Sequence, residues 1–349
     1  MQVSLILPVV NEAKFIDCAI NSILNQKFKN KISFEILIAD GGSIDGTLPI
    51  IHNIISNNSN ICLIDNPKKI VSTGFNLALN NAKGKIIIRI DGHCEIPINY
   101  IEKCCNLLNS SKADIVGGVI ETISTGLIGE AISIAQSSLF GVGSVNFRRM
   151  DLDQGSYVDT LAFGAHRREI FECIGGFDEE MICNQDDEFN HRAMQAGKKI
   201  WIDPTIKTKY FARSSYLKLF KQYFNYGFYK VRGIQKRGQI ISTRHLIPAT
   251  FIISLIGTLI LGYFQHLPWL SYSVLSIYLI INIISSIIVS QKASLIPLLF
   301  LAFCTLHLGY GSGFIWGLVR FICKWRDKSL KDDHFNRKQF IANSSVVNL

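Results

Sequence analysis

A carboxylate and an imidazole follow an apolar run in the N-terminal third of the chain. The segment GKIIIRIDGH, residues 84–93, ends in Asp91-Gly92-His93. A divalent cation that bridges two phosphate oxygens needs few protein ligands, and imidazole suits Mn²⁺ better than Mg²⁺. The same residues also make an ordinary turn. Asp91 and His93 are therefore candidate metal ligands whose function depends on partners elsewhere in the chain.

A second acidic cluster, Gln185-Asp186-Asp187-Glu188, begins a predicted helix. Acids in a first helical turn stabilise the helix dipole, which is a purely structural explanation. Alternatively, one carboxylate accepts a proton from a hydroxyl group as a general base. Its acidic neighbours would raise its pKa toward neutrality. The cluster is therefore a candidate source of a general base.

Two further polar clusters follow apolar runs, Asn11-Glu12 and the segment DGGSIDGT at residues 40–47. Glycines let a backbone approach a ligand closely, and an Asp at a strand end can hold ribose hydroxyls. Asp45 or Thr47 can instead cap the following helix. The glycine fingerprint of dinucleotide-binding enzymes is absent from this segment.

Apolar runs of strand length alternate with segments of helical periodicity over the first 90 residues. The runs are VSLILPVV, FEILIAD, ICLID and KIIIRI. This alternation predicts an α/β fold with a mostly parallel sheet and helices on both faces. Ligands of such sheets bind beyond the carboxyl ends of the strands. The polar clusters follow these ends, so we expect them to lie together.

The C-terminal part of the chain has the composition of a membrane region. Ile247–Phe264 and Trp269–Val289 carry no charge, and residues 295–319 contain no Asp, Glu, Lys or Arg and a single histidine, His307. About 20 apolar residues span a bilayer. Basic residues flank the region on both sides, which favours an even number of crossings. We therefore predict two spans and a third segment that either spans or is re-entrant.

The charge distribution supports a membrane-associated protein. The net charge is +9, and residues 198–245 contain twelve Lys/Arg and one acid. A local basic block before a hydrophobic span favours anionic headgroups, diphosphates and a cytoplasmic location over nucleic acid. Nine cysteines without a CxxC pair favour reduced cytosolic thiols. We divide the chain into a domain at 1–235, a basic juxtamembrane linker at 236–246, a membrane region at 247–321 and a polar tail at 322–349, which we expect to be mobile from residue 329 onward.

The segments ILPVVNE, ILIADGGSIDGT, GFNLALNNAKGKIIIRIDGH, GGFDEE and NQDDEFNHRAMQAGKKIW occur in this order. With them the chain resembles the family 2 glycosyltransferases, which have a GT-A fold, over roughly residues 3–235. The variants RIDGH, NQDDEFNHR and YGxxKxR resemble the succinoglycan-biosynthesis glucosyltransferase branch. The QxxRW motif of processive members is missing, which argues against a processive synthase.

The resemblance implies roles for individual residues. Asp186 matches the general base, although Gln185 replaces the usual Glu before it. Asp91 and His93 stand at the metal-binding motif, where His93 replaces an acid. Basic residues beside aromatic ones could contact phosphates of the donor or of a lipid acceptor. The expected nucleotide-sugar-binding residues are Pro8, Asn11, Glu12, Asp40, Gly41, Asp91, Lys230 and Arg232, and the expected acceptor-side residues are Gly175, Gly176, Phe177, Asp178 and Asp187.

The resemblance also implies an activity: an inverting transfer of a sugar, with UDP-glucose the expected donor, to a hydroxyl of a lipid-linked saccharide. Mg²⁺ or Mn²⁺ would serve as cofactor, and the reaction would belong to exopolysaccharide biosynthesis at the cytoplasmic face of the membrane. Two alternatives remain open. A polyprenyl-phosphate sugar transferase would need no general base, because a phosphate is already nucleophilic. A non-catalytic membrane scaffold would keep the nucleotide-sugar fold without the reaction.

Overall fold

The computed structural model describes residues 2–110, 113–143, 146–148, 152–212, 215–238 and 243–345. The helices and strands are, in chain order, β1 (Val3–Val9), α1 (Ile16–Leu24), β2 (Phe34–Asp40), α2 (Thr47–Ile55), β3 (Ile61–Asp65), α3 (Val71–Asn81), β4 (Ile86–Arg89), β5 (Cys94–Glu95), α4 (Tyr100–Ser110), β6 (Ile115–Ile123), α5 (Gly126–Ser137), α6 (Leu139–Val142), β7 (Ser156–Tyr157), β8 (Ala165–Arg167), α7 (Arg168–Ile174), α8 (Gln185–Gln195), β9 (Ile200–Phe211), α9 (Tyr216–Arg237), α10 (Ile247–Phe264), α11 (Trp269–Val289), α12 (Ile296–Arg320) and α13 (Arg337–Ser345).

The chain divides into two compact units. The first unit contains residues 1–121, 149–210 and 330–349, and the second unit contains residues 122–148 and 211–329. Both units are discontinuous in sequence, whereas the segments expected from composition are consecutive. The difference arises because α5 packs with the apolar helix α12, and because α13 packs with α3 and α7 of the first unit.

A mixed sheet forms the centre of the first unit, with the strand order β3-β2-β1-β4-β8-β6-β9-β5 and with β7 paired to β9. β1 is parallel to β2 and β4, and β2 is parallel to β3. The pairs β4–β8, β6–β8, β5–β9 and β7–β9 are antiparallel. The α/β class is confirmed, but the sheet is mixed rather than mostly parallel. Parallel pairs need crossover connections, and the regular strand–helix alternation that supplies them ends after β4.

The parallel strands end at one edge of the sheet. Val9 pairs with Asp40, and Asp40 pairs with Asp65. On the other side of β1, Ile6 pairs with Arg89, the last residue of β4. Every residue of β1 is buried, as a strand covered on both faces requires. The segments that follow β1, β2 and β4 therefore leave the sheet at the same edge.

The C-terminal segment packs against the first unit. Phe340 on α13 is fully buried, and the guanidinium carbon of Arg168 lies 3.6 Å from the centre of its ring. Phe335 is 8% exposed, and its ring centroid lies 5.3 Å from that of Phe340. The prediction of a mobile tail is therefore wrong for residues 330–345, because two aromatic side chains anchor this otherwise polar segment.

Polar contacts hold the same segment to the loop that follows α7. His334 Nδ1 lies 2.6 Å from Glu179 Oε2, and the His334 backbone N–H donates to Glu179 Oε1 at 3.0 Å. The Gly176 backbone N–H donates to Asp332 Oδ2 at 3.2 Å. The C-terminal segment therefore fixes the backbone of a loop that the sequence assigned to the acceptor side.

Phe340→Ala should lower the free energy of unfolding of the first unit. Truncation of a fully buried aromatic side chain leaves a cavity and costs about 3–5 kcal/mol. The change is measured by denaturant unfolding in detergent micelles. Lys338→Ala on the exposed side of the same helix is the control and should change the value by less than about 0.5 kcal/mol. Equal stability of the two variants would contradict the burial of Phe340 against Arg168.

The second unit contains α9 and α12 in unusually close contact. Three glycines of α12 face backbone carbonyl oxygens of α9 at four-residue intervals on both helices. The pairs are Gly309 with Phe220, Gly313 with Phe224, and Gly317 with Phe228. A Cβ atom on Gly313 would lie 2.0 Å from its facing oxygen, so a larger residue would push the helices apart. The two helices run in the same direction.

Three helices of the second unit are long and apolar enough to cross a membrane, among the residues that the structure describes. They are α10, α11 and the stretch Ala293–Arg320, which contains α12. α10 and α11 expose most of their apolar side chains, whereas a third of the corresponding α12 stretch is buried. Much of the surface of α12 is therefore occupied by protein.

Candidate active site

A hydrogen-bond network around Asp40 joins the segments that follow β1 and β2. The Asp40 carboxylate accepts from the Gly42 and Ser43 backbone N–H groups at 2.8 and 2.9 Å, and from Ser43 Oγ at 2.5 Å. Ser43 Oγ accepts from the Asn11 N–H at 2.8 Å. Asn11 has φ 54°, and its Oδ1 accepts from the Ile44 N–H at 2.9 Å. Asp40 is 4% exposed, so its clear function in this structure is to fix the two loops.

Asp45 and Thr47 form a second set of hydrogen bonds between the same two loops. The Glu12 backbone N–H donates to Thr47 Oγ1 at 2.8 Å, and the Ala13 N–H donates to Asp45 Oδ2 at 3.1 Å. Thr47 Oγ1 donates to Asp45 Oδ1 at 2.6 Å, and this hydrogen bond lowers the pKa of the Asp45 carboxyl. These two residues therefore position the backbone of the loop after β1.

β4 ends in a buried arginine that contacts Asp91. Arg89 Nε and Nη2 both donate to Asp91 Oδ1, at 3.1 and 2.8 Å. The side chains of Arg89 and Asp91 are 8% and 19% exposed. The guanidinium carbon lies 6.0 and 5.9 Å from the ring centres of Phe163 and Phe177. Within the described residues, Oδ2 of Asp91 makes no hydrogen bond and stays available to a ligand.

His93 is oriented by a carboxylate from the loop after β1. Its Nδ1 lies 2.8 Å from Glu12 Oε1, and both side chains are 13% exposed. The His93 ring contacts Tyr210 edge-on, with centroids 4.8 Å apart. A Cβ on Gly92 would lie 2.9 Å from Val9 Cγ1, so the glycine permits this close approach. The remaining ligand atom of the imidazole is Nε2.

Asp186, in the first turn of α8, belongs to the same electrostatic cluster as Arg89 and Asp91. Burial raises the pKa of the Asp186 carboxyl; the Arg89 guanidinium opposes this shift, and the charges of Asp187 and Asp91 add to it. The Asp187 backbone N–H donates to Asp186 Oδ1 at 2.9 Å. The side chain is half-buried. A carboxyl group of this kind is a suitable proton acceptor near neutral pH.

Glu188, the third acid of the cluster, has a structural function. Its carboxylate forms a two-point ion pair with Arg192, with Nε–Oε1 at 2.7 Å and Nη2–Oε2 at 2.9 Å. Arg192 also donates to the carbonyl oxygens of Ile174 and Gly176 at 2.6 and 2.7 Å. Gly175, between Ile174 and Gly176, has φ 85°, a left-handed backbone conformation that favours glycine. The pair therefore holds α8 against the end of α7.

The predicted acceptor-side residues that follow are largely buried. A Cβ on Gly176 would lie 2.4 Å from Asn76 Oδ1. Phe177 is 1% exposed and stacks on Phe75 with ring centroids 4.2 Å apart. Asp178 is also 1% exposed. The side chains of Phe177 and Asp178 are therefore buried, and the assignment of this loop to the acceptor side stays a prediction.

The remaining predicted nucleotide-sugar residues lie in different units. Pro8 is buried in β1 beside β2, and the Gly41 N–H donates to the carbonyl of Val9 at 2.8 Å at the strand-end edge. Lys230 and Arg232 belong to the second unit and are 7% and 0% exposed. Arg232 donates there to the carbonyl of Lys324, in the segment after α12. A direct phosphate contact by Arg232 would require this buried side chain to move.

Asp91 and His93 suit a hard divalent cation with few protein ligands. A carboxylate against Nδ1 leaves Nε2 correctly oriented, as is usual for metal-binding histidines. The described residues contain no group of three or more His, Cys, Asp or Glu that could hold a metal. Two protein ligands are nevertheless enough for a cation that takes its other oxygens from a diphosphate and water. The residues present therefore fit the expected cofactor.

Three features of the site were not among the predicted residues or contacts: Arg89, the pairing of Glu12 with His93, and the Tyr210 ring. Arg89 had a visible signal, because a cationic residue inside the run IIIRI is costly unless it is paired. No sequence signal indicated Tyr210 or the pairing of Glu12 with His93, because both depend on contacts between distant segments.

The model of Glycosyl transferase family 2 matches residues 4–175. This span includes the parallel strands, the Asp40 network and Asp91, and Asp186 lies beyond it. The chain therefore carries a family 2 glycosyltransferase domain with a GT-A fold, and it is a glycosyltransferase.

The chain is similar to named proteins of polysaccharide and lipid-linked glycan synthesis. It is 29% identical to the succinoglycan biosynthesis protein ExoA of Rhizobium meliloti, over 70% of this chain and 73% of the relative. It is 28% identical to the dolichyl N-acetyl-alpha-D-glucosaminyl phosphate 3-beta-D-2,3-diacetamido-2,3-dideoxy-beta-D-glucuronosyltransferase of Methanococcus voltae, over 90% of this chain and 98% of the relative. The predicted resemblance to the succinoglycan branch is confirmed. Among solved structures, S. aureus TarS 1-349 in complex with UDP is 17% identical over 92% of this chain and 91% of that chain, with a TM-score of 0.48.

Proposed function

We propose that the enzyme transfers a sugar, glucose being the expected one, from a UDP-sugar to a hydroxyl group of a lipid-linked saccharide, with inversion at the anomeric carbon. The observation that carries this proposal is the cluster of Asp186, Arg89 and Asp91 at the carboxyl edge of the sheet. In it, a proton acceptor with a raised pKa lies in the same electrostatic environment as the candidate diphosphate site.

The loops fixed by Asp40 are the proposed nucleotide site. Hydrogen bonds among Asn11, Ser43 and Asp40 hold the two loops in one arrangement, so little ordering is left for the binding step. Gly41 lies between them, where a Cβ would have neighbours at 3.3 Å. The glycine lets these segments pack closely, and backbone groups of the two loops would contact a uracil or ribose.

Asp91 Oδ2 and His93 Nε2 would hold a divalent cation, and that cation would neutralise charge on the leaving nucleotide diphosphate. Glu12 keeps the His93 ring in the orientation for this task. Arg89 holds the Asp91 carboxylate in place. Its buried guanidinium also supplies a fixed positive charge near the developing negative charge, which needs no reorganisation during the reaction.

Asp186 is the proposed general base. Its carboxylate accepts the proton of the acceptor hydroxyl as the oxygen forms a bond to the anomeric carbon. On the opposite face, the bond from that carbon to the diphosphate oxygen breaks, and the electron pair leaves with the diphosphate. No covalent enzyme intermediate is required. Asp187 assists by raising the pKa of Asp186, which makes the base stronger at the pH of the reaction.

A lipid-linked acceptor and a multi-pass membrane location complete the proposal, with the first unit in the cytoplasm. The name of the Methanococcus relative specifies a dolichyl-phosphate saccharide as its acceptor, and the similarity covers 98% of that protein. The apolar helices α10 and α11 are about the length of a bilayer core. They would keep the enzyme at the surface where such acceptors are found.

The test is turnover by detergent-solubilised enzyme with a panel of UDP- and GDP-sugars, with Mg²⁺, Mn²⁺ or EDTA, and native membrane lipids as acceptor. Metal-dependent label in a lipid-linked saccharide that disappears in Asp186→Asn would support the proposal and identify the donor. Label in a lipid monophosphate that survives this change would favour a polyprenyl-phosphate sugar transferase. No product with any donor, together with no nucleotide binding by calorimetry, would favour the scaffold.

Glu12→Gln should weaken metal binding without abolishing turnover. The amide keeps the size of the side chain but loses the charge that orients His93, and loss of such a partner usually costs roughly 10–100-fold in metal affinity. The metal concentration for half-maximal rate is the measurement. Glu95→Gln, which removes an exposed partner of Lys209, is the matched control. If the wild-type enzyme, Glu12→Gln and Glu95→Gln all reached half-maximal rate at the same metal concentration, this function of Glu12 would be excluded.

A further inference from the structure

Both ends of α12 are tied to helices that carry charges. Before α12, Lys292 Nζ forms an ion pair with Glu130 Oε1 of α5 at 2.9 Å. After α12, the carbonyl of Lys324 accepts from Arg232 Nη1 of α9 at 3.1 Å. α5 has twelve residues, too few to span a bilayer. α12 therefore begins and ends beside short or charged helices of the second unit.

α12 also packs along two of its turns against α9, a helix that cannot cross a bilayer. α9 has six basic side chains in 22 residues: Lys218, Lys221, Lys230, Arg232, Lys236 and Arg237. Each charge at the centre of a membrane helix costs about 2.5–3.5 kcal/mol. Gly309 to Gly317 of α12 lie against the backbone of α9 over two turns. α12 can cross only together with α9, and the charges of α9 prevent that.

The contacts of α12 with α10 and α11 lie between the middle of those helices and the ends that are remote from their connecting turn. A Cβ on Gly311 would lie 2.5 Å from the carbonyl oxygen of Pro248, in the first turn of α10. Asn282, in the second half of α11, donates to the carbonyl of Phe300 at 3.3 Å, and the Tyr278 hydroxyl at the middle of α11 lies 3.1 Å from His307 Nδ1. These contacts hold α12 against the part of the α10–α11 hairpin that lies away from its turn.

The C-terminal segment gives an independent constraint. Residues 330–345 pack into the first unit, where Phe340 is fully buried against Arg168. The first unit precedes the apolar helices in the chain, so the chain must return to the side from which it left. Three crossings would place the segment on the opposite side. The number of crossings is therefore even.

We propose that α10 and α11 are the two membrane-crossing helices, and that α12 lies in the lipid interface on the side of the first unit. This inference rests on the proposed membrane attachment. The partner of α12 is the lipid surface beside the α10–α11 hairpin. Its large exposed apolar side chains lie at spacings of seven, eight and three residues, which is one face of a helix. They are Leu301, Leu308, Trp316 and Val319.

The chemistry of this face fits an interface. Trp316 is 54% exposed, and tryptophan is enriched where headgroups meet hydrocarbon. Lys218 and Lys221 are exposed on the neighbouring α9 and would contact anionic headgroups. An apolar helix beside exposed lysines is placed more favourably at the surface than across the hydrocarbon core.

The test is site-resolved labelling of the full chain by a membrane-impermeant maleimide in sealed right-side-out and inverted vesicles. Gln265→Cys probes the α10–α11 turn, Gln291→Cys probes the α11–α12 turn, and Lys338→Cys probes α13; all three positions are exposed. Native Cys62, exposed on the first unit, is the reference. Labelling after permeabilisation verifies that each thiol reacts, and mass spectrometry assigns the label.

We expect Gln265→Cys to react only in right-side-out vesicles, and Gln291→Cys, Lys338→Cys and Cys62 to react only in inverted ones. Lys338→Cys on the side opposite to Cys62 would show that α12 crosses and would overturn the inference. Gln291→Cys on the side opposite to Cys62 would show that α12 crosses in place of α10 or α11, which would overturn the inference as well. If Gln265→Cys, Gln291→Cys and Cys62 all react on the same side, neither α10 nor α11 crosses, and the proposed membrane attachment itself is wrong.

Discussion

Asp186→Asn should lower the turnover number by about 10²–10⁴-fold, the usual contribution of a general base, and leave the affinity for nucleotide diphosphate unchanged. Asparagine keeps the shape of the side chain and its hydrogen bond from the Asp187 N–H, but it cannot accept the proton of the acceptor. The measurement combines initial rates at saturating donor with calorimetric titration by UDP.

The matched control is Asp187→Asn, which makes the same change of charge one residue away. The negative charge of Asp187 is one cause of the raised pKa of Asp186. Its removal lowers that pKa, so the acidic limb of the pH–rate profile should move to lower pH, with a loss of less than about tenfold near neutrality. Equal losses in the two variants would show that the cluster acts through structure rather than through one base.

The strand-end site could be predicted because its signals are local. Each of the first four strands is an apolar run followed by polar residues, and parallel topology brings such ends together whatever the rest of the chain does. Asn11, Asp40 and Asp91 are therefore found at one edge, as the sequence indicated. The charge pattern of α8 likewise indicated Asp186 as a candidate general base, which stays a prediction.

Other residues that the sequence suggested for the site could not be assigned in the same way. Phe177 and Asp178 follow two glycines in a segment with the appearance of an exposed loop, yet they are buried because Phe75 and α8 cover them. Arg232 has the appearance of a phosphate ligand, yet it is buried by the segment after α12. Such assignments depend on packing between segments far apart in sequence.

The packing of the C-terminal segment, residues 330–345, also could not be predicted from the sequence. Its composition is polar, and two phenylalanines five residues apart are too weak a signal to predict docking. Arg168, which packs on the ring of Phe340, is more than 160 residues away in sequence. Flanking charges could favour an even number of crossings, but only the packing of α9 against α12 indicates which helix stays out of the membrane.

Arg89→Gln should reduce turnover by about 10²–10³-fold, the loss typical of removing one fixed transition-state donor, and shift the acidic limb of the pH–rate profile to higher pH. The sign follows from the charges. Arg89 opposes the effect of burial on the Asp186 carboxyl, so its removal raises that pKa further, and more of the base is protonated at a given pH. The measurement is the rate as a function of pH for both proteins.

Stability separates this electrostatic function from a structural one. Removal of one partner of a buried ion pair leaves an uncompensated charge and costs about 3–5 kcal/mol, so Arg89→Gln alone should unfold more easily. The double variant Arg89→Gln/Asp91→Asn removes both charges and should regain most of that free energy of unfolding. It should not regain turnover, because the fixed cation and the proposed diphosphate-side carboxylate are both lost.

Arg337→Gln, an exposed arginine of the same unit, is the control for loss of a positive charge far from the site. It should leave the pH–rate profile in place. An Arg89→Gln profile that falls in height without moving along the pH axis would mean that the guanidinium acts only by packing between Phe163 and Phe177. A shift to higher pH, with recovery of stability but not of turnover in the double variant, requires instead that one buried cation controls both carboxylates.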